Sequence, residues 1–157
     1  MVIYWSILAF CSALLVAALV PTFLYMRRVQ LRRRLESARK LFHQRREWLE
    51  ADFFTRAAKA GTPRGLAWVE CDFENPVAFA RERGSRKLRA LVGVTIRFEA
   101  VEGGGMEDNP NVGNLRTGTA VFTFDGHSWS TDGRAVLNLN PAQTIERFQG
   151  ELETVED

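Results

Sequence analysis

Apolar residues dominate the chain from Val2 to Met26, with only Ser6, Ser12 and Thr22 as mild polar interruptions and no charge anywhere in residues 1–26. From residue 27 the pattern changes to a stripe at helical spacing: Leu31, Leu35, Ala38, Phe42, Leu49 and Phe53 recur three, four or seven residues apart. After Pro63 it changes again, to the alternation of strands, clearest where Val92, Val94, Ile96 and Phe98 interleave with Thr95, Arg97 and Glu99. These three periods divide the chain into an apolar segment (1–26), an amphipathic helix (27–60), a small antiparallel-sheet domain (61–150) and an acidic tail (151–157).

At about 1.5 Å per helical residue, the first segment reaches roughly 37 Å, enough to cross a hydrocarbon layer of about 30 Å. Tyr4 and Trp5 near one end and Tyr25 at the other suit the interfacial belts, and Pro21 is tolerated near the end of a spanning helix. A cleaved signal peptide would need a positive leading region and a shorter apolar core, and the segment has neither. Leu8-Ala9-Phe10-Cys11 has bulky Phe10 where a lipoprotein cleavage box needs a small residue. A buried helix of a water-soluble core rarely runs this far without a charge. The segment is therefore expected to be a transmembrane helix.

Charge orients it. Almost nothing precedes the span, while nine Lys/Arg lie between Arg27 and Arg46, so the N-terminus is expected outside and the remaining chain in the cytoplasm. Residues 27–60 hold 11 Lys/Arg against 4 Asp/Glu; residues 61–157 hold 10 against 15. Arg27, Arg28, Arg32, Arg33 and Arg34, directly beyond the apolar segment, are the candidate contacts to the bilayer and its anionic head groups. Nucleic acid is not expected as a partner, because its binding calls for a basic face interleaved with aromatics on a folded platform. Cys71 is the one cysteine beyond the apolar segment, so no disulfide can form within the sheet domain, which fits a reducing compartment.

Residues 27–60 contain no Gly or Pro and read as one helix, stopped by Gly61-Thr62-Pro63. The spacing of its first part is compatible with a short coiled coil, and so with a homodimer. Arg45 and Asp52 occupy the next seam positions, which favours a helix packed on its own domain. Leu66 to Phe73 reads as a first strand, and Val77 to Arg83 pairs with Lys87 to Phe98 around Gly84-Ser85. Thr117 to Phe124 is a further strand, turned at Asp125-Gly126 into His127 to Ser130; Asp132-Gly133 leads to Ala135–Leu139. Asn140 caps a short terminal helix with Pro141 as its first residue and Ile145 and Phe148 facing inward, and the acidic tail beyond is expected to fray.

The predicted fold is α+β: a transmembrane helix continuing into a long amphipathic helix that covers a four- or five-stranded antiparallel meander through Phe42, Trp48, Leu49, Phe53 and Phe54. In element order it is similar to helix-on-curved-sheet domains of the cystatin and nuclear-transport-factor-2 type. Such folds host enzymes, binders and scaffolds alike, so the similarity implies architecture and no activity.

Candidate chemistry is sparse. Residues 102–116 form a long Gly-rich connection in which Glu107, Asp108, Asn109, Asn111 and Asn114 offer oxygen donors. Their spacing matches no calcium loop, so a mobile loop is favoured over a partner or ligand contact, and both over a metal site. His127 with Asp125 and Asp132 could serve as a general base, but two Asp-Gly pairs are turn chemistry. Cys71 is expected as a core thiol beside Val69 and Phe73, and Glu70, Asp72, Arg97 and Glu99 as a polar sheet face with cross-strand ion pairs. Trp68 and Trp129 are expected in the core or at the sheet edge.

With no nucleophile–base pair, metal-ligand spacing or phosphate loop, no catalytic, cofactor or metal residue is assigned, and the sequence favours a non-enzyme over an enzyme without deciding between them. The expected function is a single-pass membrane-anchored interaction domain with an unidentified protein partner. The alternative is a small-ligand carrier or enzyme with its pocket between helix and curved sheet.

Overall fold

A computed structural model describes the backbone of residues 2–60 and 65–155 and the side chains of 17, 19–60 and 65–155. The stop signal Gly61-Thr62-Pro63, the side chains of residues 2–16 and 18 and the last two residues of the tail lie outside it. Helix α1 spans Val2–Gln44 with Pro21 inside, and α2 spans Arg46–Lys59. Six strands follow: β1 (Leu66–Glu82), β2 (Leu88–Ala100), β3 (Arg116–Phe124), β4 (Trp129–Ser130), β5 (Ala135–Leu137) and, after helix α3 (Pro141–Arg147), β6 (Leu152–Thr154). The fold is α+β. Its contacts divide the chain into two compact units, Met1–Lys40 and Leu41–Asp157. Among the described residues no helix is long and apolar enough to cross a membrane; most of the expected span, residues 1–16, has its side chains outside the description.

The second unit is a single antiparallel sheet in the order β4-β3-β2-β1-β6, with β5 also paired to β3. One face is covered by the end of α1 and by α2. Phe42, Leu49, Phe53 and Ala57, all on one helical face, meet Ala90, Val92, Val94, Ile96, Ala120 and Phe122, and all ten are buried. The rings interlock edge-on: Phe42 lies 5.4 Å from Phe122 and 5.0 Å from Trp129, and Phe53 lies 5.6 Å from Phe73, centroid to centroid. Trp48, expected in this cover, instead faces solvent at 59 % exposure, and Phe54 is half-buried. At 100° per residue, Trp48 falls one step off the Phe42–Leu49–Phe53 line.

Three further expectations are corrected. The helix over 27–60 breaks at Arg45 (φ −109°, ψ 10°), whose N–H is shared between the carbonyls of Leu41 and Phe42. The two expected strands 66–73 and 77–83 are one strand, β1, paired along β2 with irregularities at Trp68/Glu70 and Phe73/Val77. Glu74-Asn75-Pro76 bends that strand without ending it. Within the acidic tail, Leu152–Thr154 forms β6 on Ala80–Glu82, supported by Arg83 and Arg86, both ion-paired to Glu153.

The second sheet face is wet only in part. Beyond Val94 strand β2 alternates buried and exposed, whereas Leu91 and Thr119 on the far face are also buried. Helix α3 covers them. Its Asn140 forms a capping box with Gln143, Pro141 is the first helical residue, and Thr144 Oγ1 bonds Thr119 Oγ1 at 3.1 Å. The expected cap is present, but the fully buried residue is Thr144; Ile145 and Phe148 are half-buried.

Candidate functional site

The loop between β2 and β3 covers residues 101–115, since Arg116 already belongs to β3. It is a chain of small turns that satisfy one another. Asn109 N–H donates to Met106 O, Val112 N–H to Asn109 O and Asn114 N–H to Asn111 O. Asn109 Oδ1 accepts from the Asn111 N–H at 3.0 Å, and Asn111 Oδ1 accepts from Asn114 Nδ2 at 3.1 Å. The carboxylate of Glu107 is held below the usual range by its own backbone N–H and by those of Gly103, Met106 and Gly105. The candidate oxygens of Glu107, Asn109 and Asn111 therefore turn toward the loop's own donors and do not converge on a common point. Among the described residues no three His, Cys, Asp or Glu gather as a metal cluster.

The loop begins and ends on exposed apolar residues, Val101 (40 % exposed) and Leu115 (64 %), and Glu107 and Asp108 within it are exposed. Polarity alone points to the loop's acidic and amide residues; Val101 and Leu115 stand just past β2 and just before β3, where strand ends leave apolar side chains exposed.

The remaining candidates resolve into structure. Asp125 Oδ1 accepts the N–H groups of Ser128 and His127, which lower its pKa and define a turn, and His127 is exposed. Glu70 pairs with Arg97 across the strands at 2.9 Å. Trp68 packs 5.1 Å from Phe98 and 6.3 Å from Phe53, while Trp129 is buried. Cys71 shares the helix-covered face with Trp68 and Phe73, because the irregularity at Val69 shifts the alternation by one. Burial, with the Asp72 and Glu50 carboxylates nearby, pushes its thiol up to about 12, which makes it a poor nucleophile.

The interval between α2 and the sheet, where a carrier would hold its ligand, is filled by Phe42, Leu49, Phe53 and Phe122. A cleft of about 120 Å³ lies on the opposite face, floored by Leu91, Val121, Val136 and Phe148 with Arg89 at its rim. That is below the roughly 300–1,000 Å³ of a small-molecule site, while open depressions of about 480 and 490 Å³ lie at His43 and Trp48 and beside Ala142 and Ile145. Arg89 is already engaged, by Thr123 Oγ1 and by Glu82 Oε1 at 3.1 Å.

In the first unit Arg27, Arg28, Arg32, Arg33 and Arg34 are all exposed on α1. At about 100° per residue they point around the whole circumference, as a collar and not a stripe. Immediately before them Leu19, Val20, Phe23, Leu24, Tyr25 and Met26 are also exposed, again on every side. Comparison of the chain with known protein families, with curated proteins and with solved structures finds no match.

Proposed function

We propose that this is a single-pass membrane-anchored protein that presents its sheet domain as an interaction module at the cytoplasmic face. The carrying observation is the junction on α1, where exposed apolar side chains on all sides give way at Arg27 to a full collar of arginines. A helix apolar all round is unstable in water and suited to lipid. The collar suits anionic head groups, each arginine near the surface adding about 1 kcal/mol, and its charge keeps that flank in the cytoplasm. The partner surface is the loop at 101–115, which exposes the carboxylates of Glu107 and Asp108 and begins and ends on exposed Val101 and Leu115. Such a surface fits a protein partner with an apolar and basic face.

The filled space between helix and sheet supports this reading over a carrier or enzyme. Extraction of membranes with alkaline carbonate tests the anchor. The full chain stays in the pellet if residues 1–26 span the bilayer, and release into the supernatant contradicts the span.

A further inference from the structure

Strand β1 is 17 residues long, yet β6 pairs only with Ala80–Glu82, and the Val155 N–H donates to Phe79 O. Among the described residues nothing pairs with the outer edge of β1 from Leu66 to Ala78. The register shows which backbone groups that edge carries. The Val101 N–H donates to Gly65 O at 2.7 Å, so alternate residues of β2 (Val101, Glu99, Arg97, Thr95) bond inward to Gly65, Ala67, Glu70 and Asp72. The N–H and C=O groups of Cys71 and Phe73 therefore face the open side. Arg46 closes one end of this slot by holding the carbonyls of Glu74 and Asn75.

The geometry points to this edge as a docking site for an extended strand of a partner protein with basic side chains at alternate positions. Main-chain bonds to Cys71 and Phe73 would add the strand to the sheet in line with β6. Charge selects the occupant. Glu70, Asp72 and Glu74 are all exposed; Glu70 is already paired to Arg97, which leaves Asp72, on the same wet face, and Glu74 as the carboxylates nearest the open edge. A second copy pairing antiparallel through β1 would set these carboxylates against their own copies, which is destabilising. Lys or Arg opposite Asp72 is favourable. The proposal concerns Cys71 and Phe73 and not the loop at 101–115, whose Val101 and Gly104 meet Gly65 just before β1.

The test uses the full chain in neutral phosphatidylcholine nanodiscs and a short peptide alternating Lys with Val. Hydrogen exchange at the Cys71 and Phe73 amides is the main readout. The Lys peptide is expected to slow exchange at both. Its Glu-for-Lys counterpart, and a form N-methylated on the edge that would pair, should bind at least about tenfold more weakly. Asp72→Lys should reverse the preference between the Lys and Glu peptides, which a merely misfolded variant would not do. Equal binding of the N-methylated peptide, or no protection at Cys71 and Phe73, overturns the proposal. Protection of those amides by self-association without peptide overturns it in favour of a second copy.

Discussion

Arg46, the first residue of α2, donates to the carbonyl of Asn75 at 2.6 Å across 29 positions of sequence. The same guanidinium also holds Glu74 O, and its Nε pairs with Glu50 at 2.6 Å. One side chain thus ties the restart of the helix after Arg45 to the irregular turn of β1, giving the carbonyls freed by that irregularity a charged donor.

Replacing Arg46 by Met should therefore cost about 2 kcal/mol, the range expected when charged hydrogen bonds are lost and Glu50 is left unpaired. Denaturant unfolding of the full chain in detergent micelles would show a lower midpoint with an unchanged slope. Amide exchange should rise first around Val77.

Gly133 has φ +79°, and a Cβ there would fall inside contact distance of the Ala57 backbone N. Gly133→Ala combines left-handed strain with a clash against the α2 backbone, so it should destabilise by about 2 kcal/mol or more. A change under about 0.5 kcal/mol in the same unfolding measurement would contradict this packing.

Asn140→Ala removes the side-chain half of the α3 capping box and should cost about 1 kcal/mol. Asn140→Asp should recover most of that, because the carboxylate can still accept the Gln143 N–H.

These residues also show where the sequence was legible. The cap at Asn140-Pro141 and the turn at Asp125-Gly126 are local chemistry, readable from neighbouring residues alone. The break at Arg45 is not, because nothing within four residues is a helix breaker; the contact that accompanies it lies at Glu74 and Asn75. Glu74-Asn75-Pro76 carries turn residues yet stays within β1, because the strand resumes its pairing at Val77. The hairpin around Gly84-Ser85 was correctly placed, but Arg86 takes the positive φ (+60°), and Glu82 and Lys87 close the loop. β6 was hidden by acidic residues that become favourable only beside Arg83 and Arg86. That the five arginines are exposed on α1 follows from their charge; that Val101 and Leu115 are exposed does not follow from the sequence, because exposure at a strand end depends on what packs there.

Cys71 supplies a pH signature. Its thiol is pushed from the ordinary 9.0 up to about 12 by burial and then by Asp72 and Glu50. Between those values the unfolded chain releases the proton while the folded chain keeps it, so stability falls as pH rises through this window. Cys71→Ala should flatten that decline without changing its sign elsewhere. In a Cys11→Ser background, alkylation at pH 8 should be slow until denaturant is added.

Replacing Arg27, Arg28, Arg32, Arg33 and Arg34 together by Gln should leave the apolar segment inserted but loosen its orientation, giving a mixed topology in cells. A population that stays uniformly oriented would mean that Arg39, Lys40, Arg45 and Arg46 suffice.

The central claim, a sheet domain held on the cytoplasmic side of a membrane, is tested most directly by thiol accessibility in intact cells. The probe is Asn111→Cys, in the exposed loop, in a chain with Cys11 and Cys71 changed to Ser. A membrane-impermeant maleimide is expected not to label it until the cells are permeabilised, with the protein in the membrane fraction throughout. Labelling of Cys at position 111 from outside intact cells would contradict it.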